Sequence, residues 1–306
     1  MPGPGIHRNR ASRRRTAHYN RRMFLLKVIL LAIVQGMAEL LPVSSSAHVV
    51  VAEKLMGLDP SSPAMTLLLV MLHTGTMFAV IVYFWKQWRA TFFSSAREFK
   101  SFVWLAALAT VLTGIVGEIV IKIIEHTIFK NVPHAQIEDL FGHLEIVAPA
   151  LAAAGILILI AGLSGEGRDP GNPGADTISS GQSAVIGIVQ GLCLPFRGFS
   201  RSGATISVGM LQRIKKSRVE AFSFALAVIL TPAVVGREAL RLLHADHSGF
   251  AAAAFPSVLG MVFSFLAGLL ALKWLSAWLE RGRWYYFGIY CLLASIVVFV
   301  LHQHGY

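Results

Sequence analysis

The feature that most restricts this chain is a pair of Ser-rich polar segments set inside hydrophobic stretches, at corresponding places in its two halves. The first comprises Leu41, Pro42, Val43, Ser44, Ser45, Ser46, Ala47 and His48; the second runs from Arg197 and Gly198 through Phe199, Ser200, Arg201, Ser202, Gly203 and Ala204 to Thr205. The same four residues lead into each, Ile33-Val34-Gln35-Gly36 and Ile188-Val189-Gln190-Gly191. Glu39 lies just before the first break and Arg201 lies within the second. A charged side chain at membrane depth costs about 2.5–3.5 kcal/mol even on the lenient insertion scale. Charges placed there in both halves, with hydroxyls around them, point to a buried polar site for an anionic ligand.

Composition sets the medium. The 306 residues are 55% hydrophobic and 14% charged, with a mean hydropathy of +0.63. That describes an all-α polytopic membrane protein rather than a water-soluble domain. Cys193 and Cys291 lie in apolar stretches and offer neither a disulfide framework nor a metal spacing; they read as small buried hydrophobes. Much of the net charge of +11 comes from residues 1–22, which hold seven Arg and no Lys, Asp or Glu. That tail has no apolar core of its own and reads as disordered. It is basic enough to suggest nucleic acid, but no nucleic-acid fold follows, so nucleic acid is not expected as a partner. It lacks the small-residue cleavage site of a secretory signal.

Six apolar stretches reach the roughly 20 residues a bilayer requires: 64–85, 102–124, 146–163, 219–240, 251–273 and 284–302. Two more, 23–56 and 182–212, are broken near the middle, by Pro42 and the following serines and by Pro195, Gly198 and the Ser/Arg run. Non-helical backbone is tolerated at membrane depth only where protein or a polar cavity surrounds it. The expectation is therefore six transmembrane helices plus two re-entrant helix hairpins, in one integral-membrane domain over 23–302 built of two repeats, about 23–145 and 146–302.

Loop charge orients this plan. Segment 86–101 holds Lys86, Arg89, Arg97 and Lys100; 213–218 holds Arg213, Lys215, Lys216 and Arg218; 273–283 holds Lys273, Arg281 and Arg283. The alternate connections carry no Lys or Arg in 57–63, only Lys130 in 125–145 and only Arg241 in 241–250. By the positive-inside rule the first set is cytoplasmic. The second hairpin then opens inward and the first outward, the inverted-repeat plan in which the two meet at the midplane. The Arg-rich tail conflicts with this, because a hairpin over 23–56 places it outside. Either 23–42 crosses the membrane fully, or residues 1–22 are absent from the mature protein and the chain starts at Met23.

Gln35 and Glu39 are one helical turn apart and share a face. Ser44, Ser45 and Ser46 follow a proline, where hydroxyls suit a new helix start, and a helix N-terminus with free amides binds anions. His48 lies within reach of the serines, as the base of a nucleophile must. Arg201, between Ser200 and Ser202 and four residues before Thr205, presents a fork suited to phosphate oxygens; a pair between Arg201 and Glu39 across the two halves is an alternative that also holds the site when empty. Arg197 adds a second cation, and Gly198 and Gly203 permit close backbone approach. His73 and Glu118 also interrupt spans, and both are read as hydrogen-bonding between helices. Lys122, Glu125 and His126, near a span end, read as snorkelling.

On these residues the chain resembles the undecaprenyl-diphosphate phosphatase family of the bacitracin-resistance type. That family is marked by Gln/Glu-x-x-x-Glu leading into Leu-Pro-Val-Ser-Ser, and by Pro-Gly-x-Ser-Arg-Ser-x-x-Thr. Here the first is Gln35 to Glu39, then Leu41 to Ser45 and His48, and the second is Gly198 to Thr205. The similarity takes in Glu220-Ala221-Phe222-Ser223-Phe224 and covers roughly 23–302. Arg197 stands where the family has the proline of the second motif, which leaves open an altered substrate preference or activity.

The resemblance implies hydrolysis of undecaprenyl diphosphate to the monophosphate carrier at the outer face of a bacterial inner membrane, carrier recycling for cell-wall synthesis, and bacitracin resistance. It also implies a divalent cation, Mg²⁺ or Ca²⁺, with Glu39 as protein ligand; one carboxylate plus substrate phosphates is a common way to hold Mg²⁺. The expected catalytic set is Ser45, His48, Glu39 and Arg201, with Ser45 as nucleophile and His48 as base or acid, or His48 as nucleophile. Substrate contacts are expected from Gln35, Ser44, Ser46, Ser200, Ser202, Gly203, Thr205 and Arg197. Partners are a long-chain polyprenyl diphosphate, membrane lipids and, as an option, a second copy of the chain. Two other classes compete. One is a polyprenyl-phosphate flippase using the same site. The other is the second integral-membrane lipid-phosphatase superfamily, whose Lys-x₆-Arg-Pro motif is missing.

Overall fold

The two broken segments are the organising elements of an all-helical chain. The computed structural model describes residues 5–58, 62–127, 144–166, 176–196, 198–244 and 250–304; of 5–21, 63, 127, 165, 166, 234, 237–239, 241–244 and 250–252 it describes the backbone alone. The backbone of 5–21, in the tail expected to be disordered, is helical and continuous with the apolar part of α1; the expectations for Arg197 and for the loop with Lys130 fall outside what is described. The described residues form α1 (Gly5–Leu40), α2 (Ser45–Met56), α3 (Pro63–Thr91), α4 (Ala96–Thr127), α5 (Leu144–Glu166), α6 (Ser180–Cys193), α7 (Arg201–Leu211), α8 (Lys216–His244), α9 (Phe250–Glu280) and α10 (Tyr285–Gln303). Among the described residues there is no strand.

Among the described residues, six helical stretches are long and apolar enough to cross a membrane: Arg22–Leu40, Ala64–Thr91, Ala96–His126, Leu144–Ser164, Ala253–Glu280 and Tyr285–Gln303. Five coincide with expected spans. The sixth expected span, 219–240, lies within the 29-residue α8. The apolar part of α1 reaches spanning length as well, the alternative raised by the charge of the tail. The protein is thus a multi-pass membrane protein. Its outward face is apolar, as lipid requires, with Trp104, Leu270, Leu293 and Ile296 among its most exposed residues.

Local chemistry fixes where the helices start. Ser62 caps α3, accepting from Met65 N at 3.3 Å, with Pro63 at the first helical position. Ser179 and Gln182 close a capping box at the head of α6. Divided after α5, rather than at the expected 145/146, each half runs helix, break, short helix and three long helices. Gly36 and Gly191, the last residues of the two lead-ins, do equivalent work. A Cβ on Gly36 would lie 2.6 Å from the Ser264 carbonyl of α9, and one on Gly191 would lie 2.7 Å from the Thr113 carbonyl of α4. Only glycine lets α1 seat on α9 and α6 on α4 this closely.

Both broken segments double back. Lys27 of α1 donates to the Met56 carbonyl at the end of α2. Gln182, at the head of α6, donates to the Gln212 carbonyl just past α7 at 3.1 Å. The basic connections also gather at one end of the bundle: Gln87 near the end of α3 donates to Ser217 O at 2.9 Å, and Ser276 near the end of α9 donates to Glu220 near the start of α8 at 2.6 Å. The core between them holds stacked aromatics, including Phe84 against Phe224 with centroids 5.3 Å apart.

Candidate active site

Glu39 occupies the last turn of α1, one turn after Gln35. Leu41 N still donates to Met37 O at 3.0 Å, but Pro42 has no N–H to continue the ladder. Val43 N turns back to Leu41 O at 2.8 Å, and Ser44 adopts φ 65° and ψ 94°. A positive φ on a residue with a Cβ costs about 1–3 kcal/mol and persists only where the surroundings impose it. Here it reverses the chain, so that Ser45, the first residue of α2, points back at the end of α1. Its Oγ donates to Glu39 Oε2 at 2.6 Å.

The second break supplies the cation. Gly198 has φ 128°, and a Cβ there would run into the Val147 carbonyl. Ser200 caps α7, its hydroxyl accepting from Gly203 N at 3.2 Å. Arg201 begins α7 and reaches the other half: its Nη2 donates to Glu39 Oε1 at 3.0 Å. The two side chains keep 24% and 16% exposure, so the pair faces an opening rather than a sealed core.

Glu39 is the hub. Oε1 accepts from Arg201, and Oε2 accepts from Ser45 and from Gln35 Nε2 at 3.1 Å. His73 of α3 brings Nε2 to 3.8 Å from Oε2. Its Nδ1 lies 2.8 Å from the Leu69 carbonyl, which can only accept, so Nδ1 carries a proton.

His48 is held differently from Ser45, although both lie in the first turn of α2. Its Nδ1 is 2.8 Å from the Ser44 carbonyl and its Nε2 is 2.6 Å from the Tyr290 hydroxyl of α10. Ser45 is engaged by Glu39 and not by the imidazole three residues on.

The other expected substrate residues are distributed unevenly. Ser46 is half-buried in the first turn of α2. Ser202 is buried, its hydroxyl 3.5 Å from the Leu41 carbonyl, a tie between the two breaks at the edge of hydrogen-bond range. Thr205 is wholly buried and serves the scaffold: it donates to Arg201 O at 2.9 Å and meets Ser223 Oγ of α8 at 2.6 Å. Gly203 packs under Ser200 and Ile158. Glu118 does not bond between helices; it pairs with Lys122 on its own helix at 3.5 Å, both exposed. The sequence reading left two residues out of the site, His73 and Tyr290. His73 carried a signal, as a polar interruption of a span. Tyr290 carried none, because it follows Tyr285 and Tyr286 in what reads as an interfacial aromatic belt.

The match to known proteins covers this geometry from end to end. The bacitracin resistance protein BacA family matches residues 28–297. The chain belongs to this family. It is 57% identical over 286 residues to Undecaprenyl-diphosphatase 2 of Acinetobacter baylyi, covering 91% of this chain and 98% of that one. It is 33% identical over 274 residues to Undecaprenyl-diphosphatase of Desulfosudis oleivorans, covering 87% and 94%. It is 32% identical over 285 residues to Undecaprenyl-diphosphatase 2 of Burkholderia thailandensis, covering 90% and 95%.

Among the described residues no three His, Cys, Asp or Glu side chains group as a metal cage. The hard oxygens at hand are the Glu39 carboxylate and the Gln35 amide, on one face of α1. That set fits a divalent cation held by one carboxylate and completed by substrate phosphates, rather than a protein-only site.

Proposed function

We propose that this family member hydrolyses undecaprenyl diphosphate to undecaprenyl phosphate and inorganic phosphate, from a site opening to the outer side of a bacterial inner membrane. The observation that carries the reading is the Glu39 carboxylate, shared by Arg201 from the other half of the chain, the Ser45 hydroxyl and the Gln35 amide. It joins a nucleophile, a proton acceptor and a phosphate-binding cation within one partly exposed group of side chains. The names carried by the relatives agree with this chemistry.

In this mechanism the terminal phosphate displaces part of the Glu39–Arg201 pair and takes the guanidinium fork, which neutralises charge developing on the phosphoryl oxygens. Ser45 Oγ attacks phosphorus, its proton passes to Glu39 Oε2, and the monophosphate lipid leaves. Water then cleaves the phosphoserine, with proton transfer through Glu39 or a neighbouring imidazole. Glu39 and Gln35 would hold a divalent cation, which when bound offsets diphosphate charge. A direct attack by His48 requires Nε2 to leave Tyr290 first, and Ser45 is already bonded to its acceptor. The geometry therefore favours serine.

The test is phosphate release from undecaprenyl diphosphate by purified protein in detergent, where no second compartment exists. Release that stops on chelation and resumes with Mg²⁺ or Ca²⁺ is expected. Absence of release under all metal conditions overturns the reading. Transport by the same site gains no support from these diphosphatase-named relatives.

A further inference from the structure

We infer that Tyr290 is a positioning residue for His48, setting the tautomer and orientation of its imidazole through the phenol hydroxyl. The inference rests on the site reading above and assigns a role to a residue outside both sequence motifs. The Ser44 carbonyl 2.8 Å from Nδ1 can only accept, so Nδ1 carries the proton. In the neutral ring Nε2 is then a lone pair, and the Tyr290 hydroxyl 2.6 Å away is its donor. The rings lie nearly parallel, 13° apart with centroids at 5.7 Å, so the phenol also limits rotation of the imidazole.

The placement is built from two helices. The carbonyl comes from the strained residue that heads α2. The phenol comes from α10, whose next residue, Cys291, is fully buried with its thiol 3.4 Å from the Pro42 carbonyl. The contact that seats α10 on the first break therefore lies beside the contact that orients His48. Tyr290 is 46% exposed, so the His48–Tyr290 bond lies at the surface of the helix bundle.

The chemical consequence is definite. An imidazole bonded at both nitrogens cannot rotate, and its basic nitrogen is covered until a substrate group replaces the phenol. Once a substrate or water group takes the place of the phenol at Nε2, that nitrogen serves proton transfer in the water-attack half of the reaction. Tyr290 thus acts through His48 and not by binding the lipid.

Three measurements on the purified protein in detergent decide this. First, Tyr290→Phe keeps the ring and removes the hydroxyl. The expected result is a kcat lower by about 10-fold, the loss of one hydrogen bond to a working group, with KM within about two-fold. Second, His48→Ala and the double variant His48→Ala/Tyr290→Phe should have equal activity, because the hydroxyl has nothing to act on once the imidazole is gone. Third, the ¹⁵N signals of His48 should report the Nδ1–H form in the wild type and a mixed population in Tyr290→Phe. The inference is overturned if Tyr290→Phe matches wild type in kcat, if the double variant falls below His48→Ala, or if the ¹⁵N signature is the same in both proteins. The ¹⁵N readout needs no turnover. A wild type that releases no phosphate but shows the doubly bonded imidazole would overturn the phosphatase reading and leave the Tyr290–His48 pairing standing.

Discussion

Arg201 and Glu39 are 162 residues apart in the chain and bond at 3.0 Å, joining the two breaks. Each residue sits at a helix terminus that local sequence fixes: Glu39 where α1 ends ahead of Pro42, and Arg201 where α7 begins after its Ser200 cap. The pair is a consequence of the two interruptions meeting. It holds each charge against its opposite until a phosphate competes for the arginine.

Removing one partner should cost more than removing both. Glu39→Gln or Arg201→Met leaves a partly desolvated charge unmatched, lowering stability by about 1–3 kcal/mol, while Glu39→Gln/Arg201→Met should recover much of that loss. All three should keep only a residual rate, with kcat/KM down by about 10³-fold or more in each single variant. Thermal unfolding in detergent and phosphate release measure the two effects separately. Near-normal turnover in either single variant removes that residue from the site.

Ser45→Ala should abolish turnover while the protein stays folded, because the bond to Glu39 Oε2 serves the reaction and not a helix cap. Ser45→Cys retains a nucleophile with a longer bond and should keep a small residual rate. Acid quench of wild type during turnover, followed by mass spectrometry, should find phosphate on Ser45. Phosphate on His48 instead would reverse the two roles.

His73 should matter through Glu39. At 3.8 Å it is too far for a firm hydrogen bond with the carboxylate but close enough to alter its charge balance. His73→Ala should lower kcat/KM by about 10-fold, as expected for one polar group beside a working carboxylate, and the effect should vanish in a Glu39→Gln background. Independent, additive effects in the double variant would place His73 outside the site.

How much of this was legible differs residue by residue. Glu39 and Arg201 stood out because charges at membrane depth need a reason, and glycine, proline and serine marked both breaks. The spacing of Ser45 and His48 looked like a nucleophile and its base on one helix face. It could not reveal that Ser44 takes a positive φ, which turns Ser45 onto Glu39 and leaves His48 to another partner. That partner, Tyr290, was hidden because its contact depends on how α10 docks against the first break. The seating of α1 on α9 and of α6 on α4 was hidden for the same reason, although the glycines that permit it were in view.

The remaining prediction concerns orientation. The segments 86–101, 213–218 and 273–283, which are the connections after α3, α7 and α9 with the adjoining helix ends, hold eleven Lys and Arg, and contacts such as Gln87 to Ser217 and Ser276 to Glu220 bring them to one end. Basic loops are retained on the cytoplasmic side. Cys193 and Cys291 are both buried, so they add little background to a labelling experiment in the folded protein. Single cysteines introduced as Ser94→Cys, Gln212→Cys and Gly282→Cys should resist a membrane-impermeant maleimide applied to intact cells and react after permeabilisation. Leu58→Cys, just past α2, should react from outside in intact cells. Labelling of the first three and protection of the fourth would invert the molecule, and the cleft at Glu39 would then face the cytoplasm.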